Sequence, residues 1–165
     1  MVLGAIAGIL LVCAWAVLSH LASDKVYSGR VLTNRTGIRV LGAVAAGKKN
    51  SRLRKLEGRA IQSDMDVVAM NISNYCNGKT SVLCLGQWAD EQKNALGSAL
   101  KELGIETCFE GSPLNSAAAL KQLKQHDAVV LLSICGQSRY THTEQEMQLI
   151  ADQDKALLGC VLLGG

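Results

Sequence analysis

The densest run of chemistry-bearing side chains lies at residues 86–94, GQWADEQKN, directly after the apolar run Ser81, Val82, Leu83, Cys84, Leu85. A loop between a buried strand and a helix is where phosphate groups are held, because the helix start offers free N–H groups and a lysine can reach the outer phosphates. Lys93 stands where that lysine would. Gln92, however, takes the place of the glycine that lets the backbone fold tightly, and Asn94 the place of the hydroxyl that holds magnesium. Asp90 and Glu91 add negative charge where a triphosphate would lie. The stretch Glu91, Gln92, Lys93, Asn94 is therefore expected to be a vestigial phosphate loop, with no nucleotide cofactor, no catalytic residue and no enzymatic activity.

Other groupings fall short of a reactive set. The run ending Cys108, Phe109, Glu110 supplies one carboxylate, and the run ending Ser133, Ile134, Cys135 supplies none, so a magnesium site lacks its ligands. His126 and His142 have no partner at metal-ligand spacing. Cys135 and His142 could be drawn as a nucleophile pair across one loop, but a cysteine at a strand end is ordinarily just buried. The turn Gly136, Gln137, Ser138, Arg139 could hold an anion or simply connect strand to helix. Six cysteines without a C-x-x-C pair, four of them inside apolar runs, fit buried free thiols in a reducing compartment.

These residues need elements to position them. Ile61, Met65, Val68, Ile72 and Tyr75 recur at spacings of four and three, which puts them on one helical face, and Asn77-Gly78 ends that helix. Thereafter strands and helices alternate. Strands are expected at 81–86, 105–109, 127–134 and 157–163, the first as a continuous apolar run buried on both faces and the third as the clearest strand of the chain. Helices are expected over 89–103, from Ser112-Pro113 through 124, and after the overlapping capping boxes Thr141/Glu144 and Thr143/Glu146. Short loops between such units call for a mostly parallel α/β sheet with flanking helices, Rossmann-like with a degenerate phosphate loop.

Of the 165 residues, 48% are hydrophobic, and the excess gathers at the start: residues 1–19 carry no charged side chain. About 20 apolar residues cross a bilayer as a helix. A transmembrane helix is expected over 1–22, a basic juxtamembrane connector over 23–59 and a cytoplasmic α/β domain over 60–165. From Asp24 to Arg59 ten basic residues face two acidic ones, a balance of +8, while the rest of the chain has seven against twelve, or −5; together they give the net charge of +3. Basic residues after a span keep that side cytoplasmic, so the chain is expected to cross once, from outside to inside. Lys25, Arg30, Lys48, Lys49, Arg52, Arg54 and Lys55 are expected to contact the anionic lipid surface. Without interleaved aromatics the basic run does not point to nucleic acid.

An apolar span, a basic connector and a nucleotide-binding-like sheet, in that order, resemble the second membrane helix and cytoplasmic end of bacterial polysaccharide chain-length determinants and of the tyrosine autokinases of capsule and exopolysaccharide export. The family's "lglpvLG-x-iP" segment is matched at Thr36-Gly37-Ile38-Arg39-Val40-Leu41-Gly42-Ala43-Val44, with Ala45 in place of proline. Its E-G-K-S loop lies over Glu91, Gln92, Lys93, Asn94, and residues 127–132 and 158–164 look like its last two strands. The phosphate loop, the paired aspartates and the tyrosine tail are missing, so kinase activity does not carry over. The resemblance implies a non-catalytic scaffold or regulator in surface polysaccharide export, the cytoplasmic end of something larger, with its single span in the bacterial inner (plasma) membrane. Its partners would be polymerase, export or kinase proteins or sister copies. The alternatives are a divergent ATPase or kinase binding nucleotide weakly through Lys93 and Arg139, and an unrelated membrane-anchored ligand-binding α/β domain.

Overall fold

The computed structural model describes residues 8–9, 11–15, 17, 24–26, 28–44 and 54–164, with 54–63 described as backbone only. In chain order these give α1 (Gly29–Thr36), β1 (Val40–Val44), α2 (Arg54–Tyr75), β2 (Ser81–Leu85), α3 (Asp90–Glu102), β3 (Glu106–Glu110), α4 (Ala117–Gln125), β4 (Ala128–Ile134), α5 (Tyr140–Asp152) and β5 (Ala156–Leu163). The five strands form one sheet in the order β1-β5-β4-β2-β3, and every pairing is parallel.

Alternation along the strands divides the core in two. Leu41, Val44, Val82, Cys84, Val130, Leu132 and Val161 pack under α2 and α3. Leu83, Leu85, Val129, Leu131, Cys160 and Leu162 pack under α1, α4 and α5. Helices on both faces explain why β2, β4 and β5 are continuous apolar runs: both sides of each strand leave water.

Residues 23–59, expected as a connector, are in part built into this domain. The apolar run Val40 to Val44 becomes an edge strand by pairing with β5, Val40 opposite Cys160 and Val44 opposite Leu163. Two glycines permit the fit. Gly159 has φ +155°, and a Cβ there would stand 2.5 Å from the Arg39 carbonyl oxygen; one at Gly42 would stand 2.6 Å from Val68 Cγ2. The helix expected from Ile61 begins seven residues earlier. Its last turn is fixed to β1, as Asn71 Nδ2 donates to the Leu41 carbonyl at 2.7 Å and Arg39 stacks 4.0 Å over the Tyr75 ring.

Two helix starts also differ from expectation. α4 begins at Ala117, because Ser116 Oγ accepts the Ala119 N–H while Ser112 is engaged elsewhere. α5 has no side-chain cap at Arg139; the Thr141 hydroxyl is drawn to Asp24 and that of Thr143 donates to the Arg139 carbonyl.

No helix among the described residues is long and apolar enough to cross a membrane. Most of the span expected over 1–22 lies outside them. Its described part is helical, with Ile9, Leu11, Val12, Trp15 and Val17 exposed.

Candidate functional site

A parallel sheet binds ligands over its carboxyl ends, where the strand order reverses. In this sheet that point is between β2, which runs on to β3 on one side, and β4, which lies on the other. A crevice of about 360 Å³ opens there, bounded by the loops after β2, β3 and β4 and by the first turns of α5.

The floor is set by Gly86. Its φ is +133°, and a Cβ would meet Leu132 Cβ at 2.6 Å, so only glycine lets the chain leave β2 this close to β4. The Gly86 N–H donates to the Glu110 carbonyl. Trp88 then turns inward, buried edge-on against Phe109 with ring centroids 5.5 Å apart. An indole therefore takes up the space under the loop.

On the opposite wall the loop after β4 is a closed turn. Gly136 has φ +75°, the Ser138 N–H donates to the Ile134 carbonyl, and Ser138 Oγ accepts the Ile134 N–H at 2.8 Å. A second layer of bonds comes from far upstream. Val26 N–H donates to the Ser138 carbonyl, Gly136 N–H to the Val26 carbonyl and Tyr140 N–H to the Asp24 carbonyl, so residues 24–26 run antiparallel to the turn. Asp24 also accepts from the Thr141 N–H and hydroxyl, and those bonds hold its carboxyl below the usual carboxylate range. Arg35 spans Asp24 and Glu144 at 3.6 and 3.4 Å and lies 4.8 Å from the centre of the Tyr140 ring.

Inside the crevice the notable group is Glu146. It is half-buried and accepts a hydrogen bond from the Ser112 hydroxyl. Burial pushes its pKa up, with Ser112 and the nearby His142 pulling the other way. Gln87, Asn115, Arg139 and His142 complete the polar lining. Such an arrangement can bind hydroxyl and amide groups. The Glu146 carboxylate inside disfavours a phosphate there.

The predicted vestigial loop lies beside this crevice and outside its lining. Glu91, Gln92, Lys93 and Asn94 form the first turns of α3. Gln92 Oε1 accepts the Ala89 N–H at 3.2 Å, and Lys93 Nζ lies 3.4 Å from Asp90 Oδ1 on the outer helix surface. Of the predicted lipid-contact residues, Lys25 pairs with Arg139 across the 24–26 strap, Arg30 is exposed on α1, and Arg54 and Lys55 open α2. Lys48, Lys49 and Arg52 lie outside the described residues. Among the described residues no three His, Cys, Asp or Glu side chains are grouped to hold a metal.

The cysteines are all free. Burial raises the Cys84 thiol far above its ordinary range and pushes Cys160 up to about 12, leaving both as apolar fillers. Glu146 and Ser112 had no signature in the sequence: they sit 34 positions apart, each inside what read as a helix start.

No protein-family model matches the chain, and no curated protein does. Among solved structures it is similar to a chimerical protein, CapA2B2, with TM-score 0.61 and 11% identity over 82% of this chain and 98% of that one. At that identity the likeness concerns the fold alone. A 2,5-dihydroxypyridine dioxygenase from Pseudomonas putida KT2440 aligns over 56% of this chain and 32% of its own, with 15% identity and TM-score 0.34, too little to carry an argument.

Proposed function

We propose that this protein is a non-catalytic, membrane-anchored scaffold or regulator in the synthesis and export of surface polysaccharide, its α/β domain held at the cytoplasmic face of the inner membrane. The observation that carries the non-catalytic half of this reading is the start of α3. Its free N–H groups face two acidic residues, Gln92 satisfies the Ala89 N–H, and Lys93 is turned to Asp90 on the outer surface. A helix start with that charge and that pairing repels phosphate.

The scaffold half draws on exposed apolar side chains. Met70 on α2 and Leu103 after α3 stay exposed beside one another, and Val67 is exposed one helical turn before Met70, the kind of patch that protein partners cover. Polymerase, export or kinase proteins and sister copies are the partners this reading names, and it rests on the family resemblance of the sequence. The apolar first 19 residues and the +8 balance that follows supply the anchor and its orientation.

The deciding experiment is titration of the full chain with MgATP, followed by hydrolysis and autophosphorylation assays. No heat up to millimolar nucleotide and no turnover are expected. Binding or turnover abolished by Lys93→Ala would replace this reading with that of a divergent ATPase or kinase, which Arg139 on the crevice rim favours. Chemical crosslinking in cells tests the partners: capture of polysaccharide-export proteins is expected, and its absence alongside unchanged polysaccharide length in a deletion strain would remove the polysaccharide assignment.

A further inference from the structure

We propose that the carboxyl edge of the sheet, around the rim formed by Lys25 and Arg139, is the face that docks on an anionic bilayer, so that the crevice opens toward the membrane surface. The inference rests on the reading of residues 1–22 as an anchor and adds which face of the domain the anchor presents.

Three features of the fold converge on that edge. The first is where the chain arrives. Residues 24–26, immediately after the apolar stretch, are bound to the turn after β4 by three backbone hydrogen bonds and by the Asp24 carboxylate, so the domain is gripped at its carboxyl edge. The second is a like-charge pair. Lys25 and Arg139 are directly opposite in the antiparallel bridge, between the Tyr140-to-Asp24 and Val26-to-Ser138 bonds. That makes them a non-hydrogen-bonded pair, with Cα atoms about 4.5 Å apart and side chains on the same side. Like charges so placed repel, and an anion between them removes the penalty. Among the described residues neither lies within ion-pair distance of a carboxylate: Asp24 and Glu144 are bridged by Arg35, and Arg139 acts on Asp24 only at longer range.

The third feature is the length of α2. Val68 packs on Gly42 and Asn71 bonds to Leu41, while Tyr75 meets Arg39, so α2 descends as β1 ascends. Arg54 is then about 21 Å above Val68 along the helix, at 1.5 Å per residue, while β1 ends only about 7 Å above Gly42. The first two turns of α2, at positions 54–60 with three basic residues and one acidic, overhang the carboxyl edge. At the same edge Asp90 and Glu91 open α3, with Lys93 turned to Asp90, and Glu110 closes β3, so the side of β2 and β3 carries the acidic groups.

The test reconstitutes the full chain in nanodiscs of phosphatidylcholine, with or without phosphatidylglycerol, and follows amide hydrogen exchange. Exchange at 24–26, 136–140 and 54–60 is expected to slow in the anionic discs, with residues 78–80 and 104–106 at the opposite edge unchanged. Replacing both Lys25 and Arg139 by Gln weakens docking about thirty-fold, given the usual contribution of each basic residue near an anionic surface, and returns the exchange ratio toward one. Lys25→Glu with Arg139→Glu gives a larger loss and serves if the first pair of variants misfolds, as judged by circular dichroism. Identical exchange in both discs by a chain that resists carbonate extraction overturns the docking face and leaves the anchor intact. Slowing confined to the opposite edge overturns it too. If carbonate releases the chain, the anchor reading fails, and sedimentation with phosphatidylglycerol vesicles decides: binding lost in the double variant sustains the docking face, and no binding ends it.

Discussion

The loop after β2 is held from within the sheet, by a glycine seated on Leu132, an inward tryptophan and a bond from the Ala89 N–H to the Gln92 side chain; the loop after β4 is held from outside, by residues 24–26 more than a hundred positions upstream. Both border the same crevice. In a sheet of this order the first loop is the usual place for phosphate chemistry, yet here it is acidic and self-contained. The long-range bonding has gone to the second. The difference teaches that the crevice is organised around where the N-terminal segment sits more than around a ligand at α3.

Substitutions can break or sharpen that contrast. The largest effect is expected at Gly86: Gly86→Ala forces a side chain against Leu132 at a φ that L residues avoid, at a cost of about 3 kcal/mol, measured by urea unfolding. A loss below 1 kcal/mol would mean the loop re-forms without its contact to β4. Ser138→Ala removes the acceptor of the Ile134 N–H and should cost about 1 kcal/mol, with faster amide exchange at 134–140 that extends to 24–26. If exchange at 24–26 does not move, the strap and the turn are independent.

A pH test separates the crevice from its surroundings. Burial raises the pKa of Glu146 in the fold, so the native state holds this proton more tightly than the unfolded chain does. Stability contributed by the group is therefore lost as pH rises from its unfolded value of 4.5 through the raised native one. Glu146→Gln should raise Tm by a few degrees at pH 7 and leave it almost unchanged near pH 4, if one titrating group acts alone. An equal shift at both pH values would mean the change in packing matters and the charge does not. The smallest effect belongs to Lys93→Ala, below about 0.5 kcal/mol, since its partner Asp90 is exposed.

Much of this architecture could be read from the residues. β2, β4 and β5 announce themselves as apolar runs, α3 follows from its apolar residues, and α5 was reached through capping boxes that the fold does not use. α1 and β1 did not. α1 has eight residues and one fully buried side chain, Leu32, which leaves too little periodicity to detect. The β1 run was visible as apolar, but it becomes a strand only through Cys160 to Leu163, some 120 positions later, and no local pattern encodes a partner that distant. The crevice was illegible for the same reason. Its groups come singly from three loops and one helix face, and of the residues that were legible as a motif, Gln92 and Lys93 are taken up by Ala89 and Asp90 at their own helix start.

The pairing of β1 with β5 also sets an order of events. The first strand to leave the ribosome waits for the last, because until Cys160, Val161, Leu162 and Leu163 have been made there is no edge for Val40–Val44 to join. During synthesis the central strands can assemble behind it, and the strap at 24–26 finds its partners at 136–141 before β5 is made, while β1 stays apart. Closing the sheet edge then becomes a late step of folding, taken once β5 is complete.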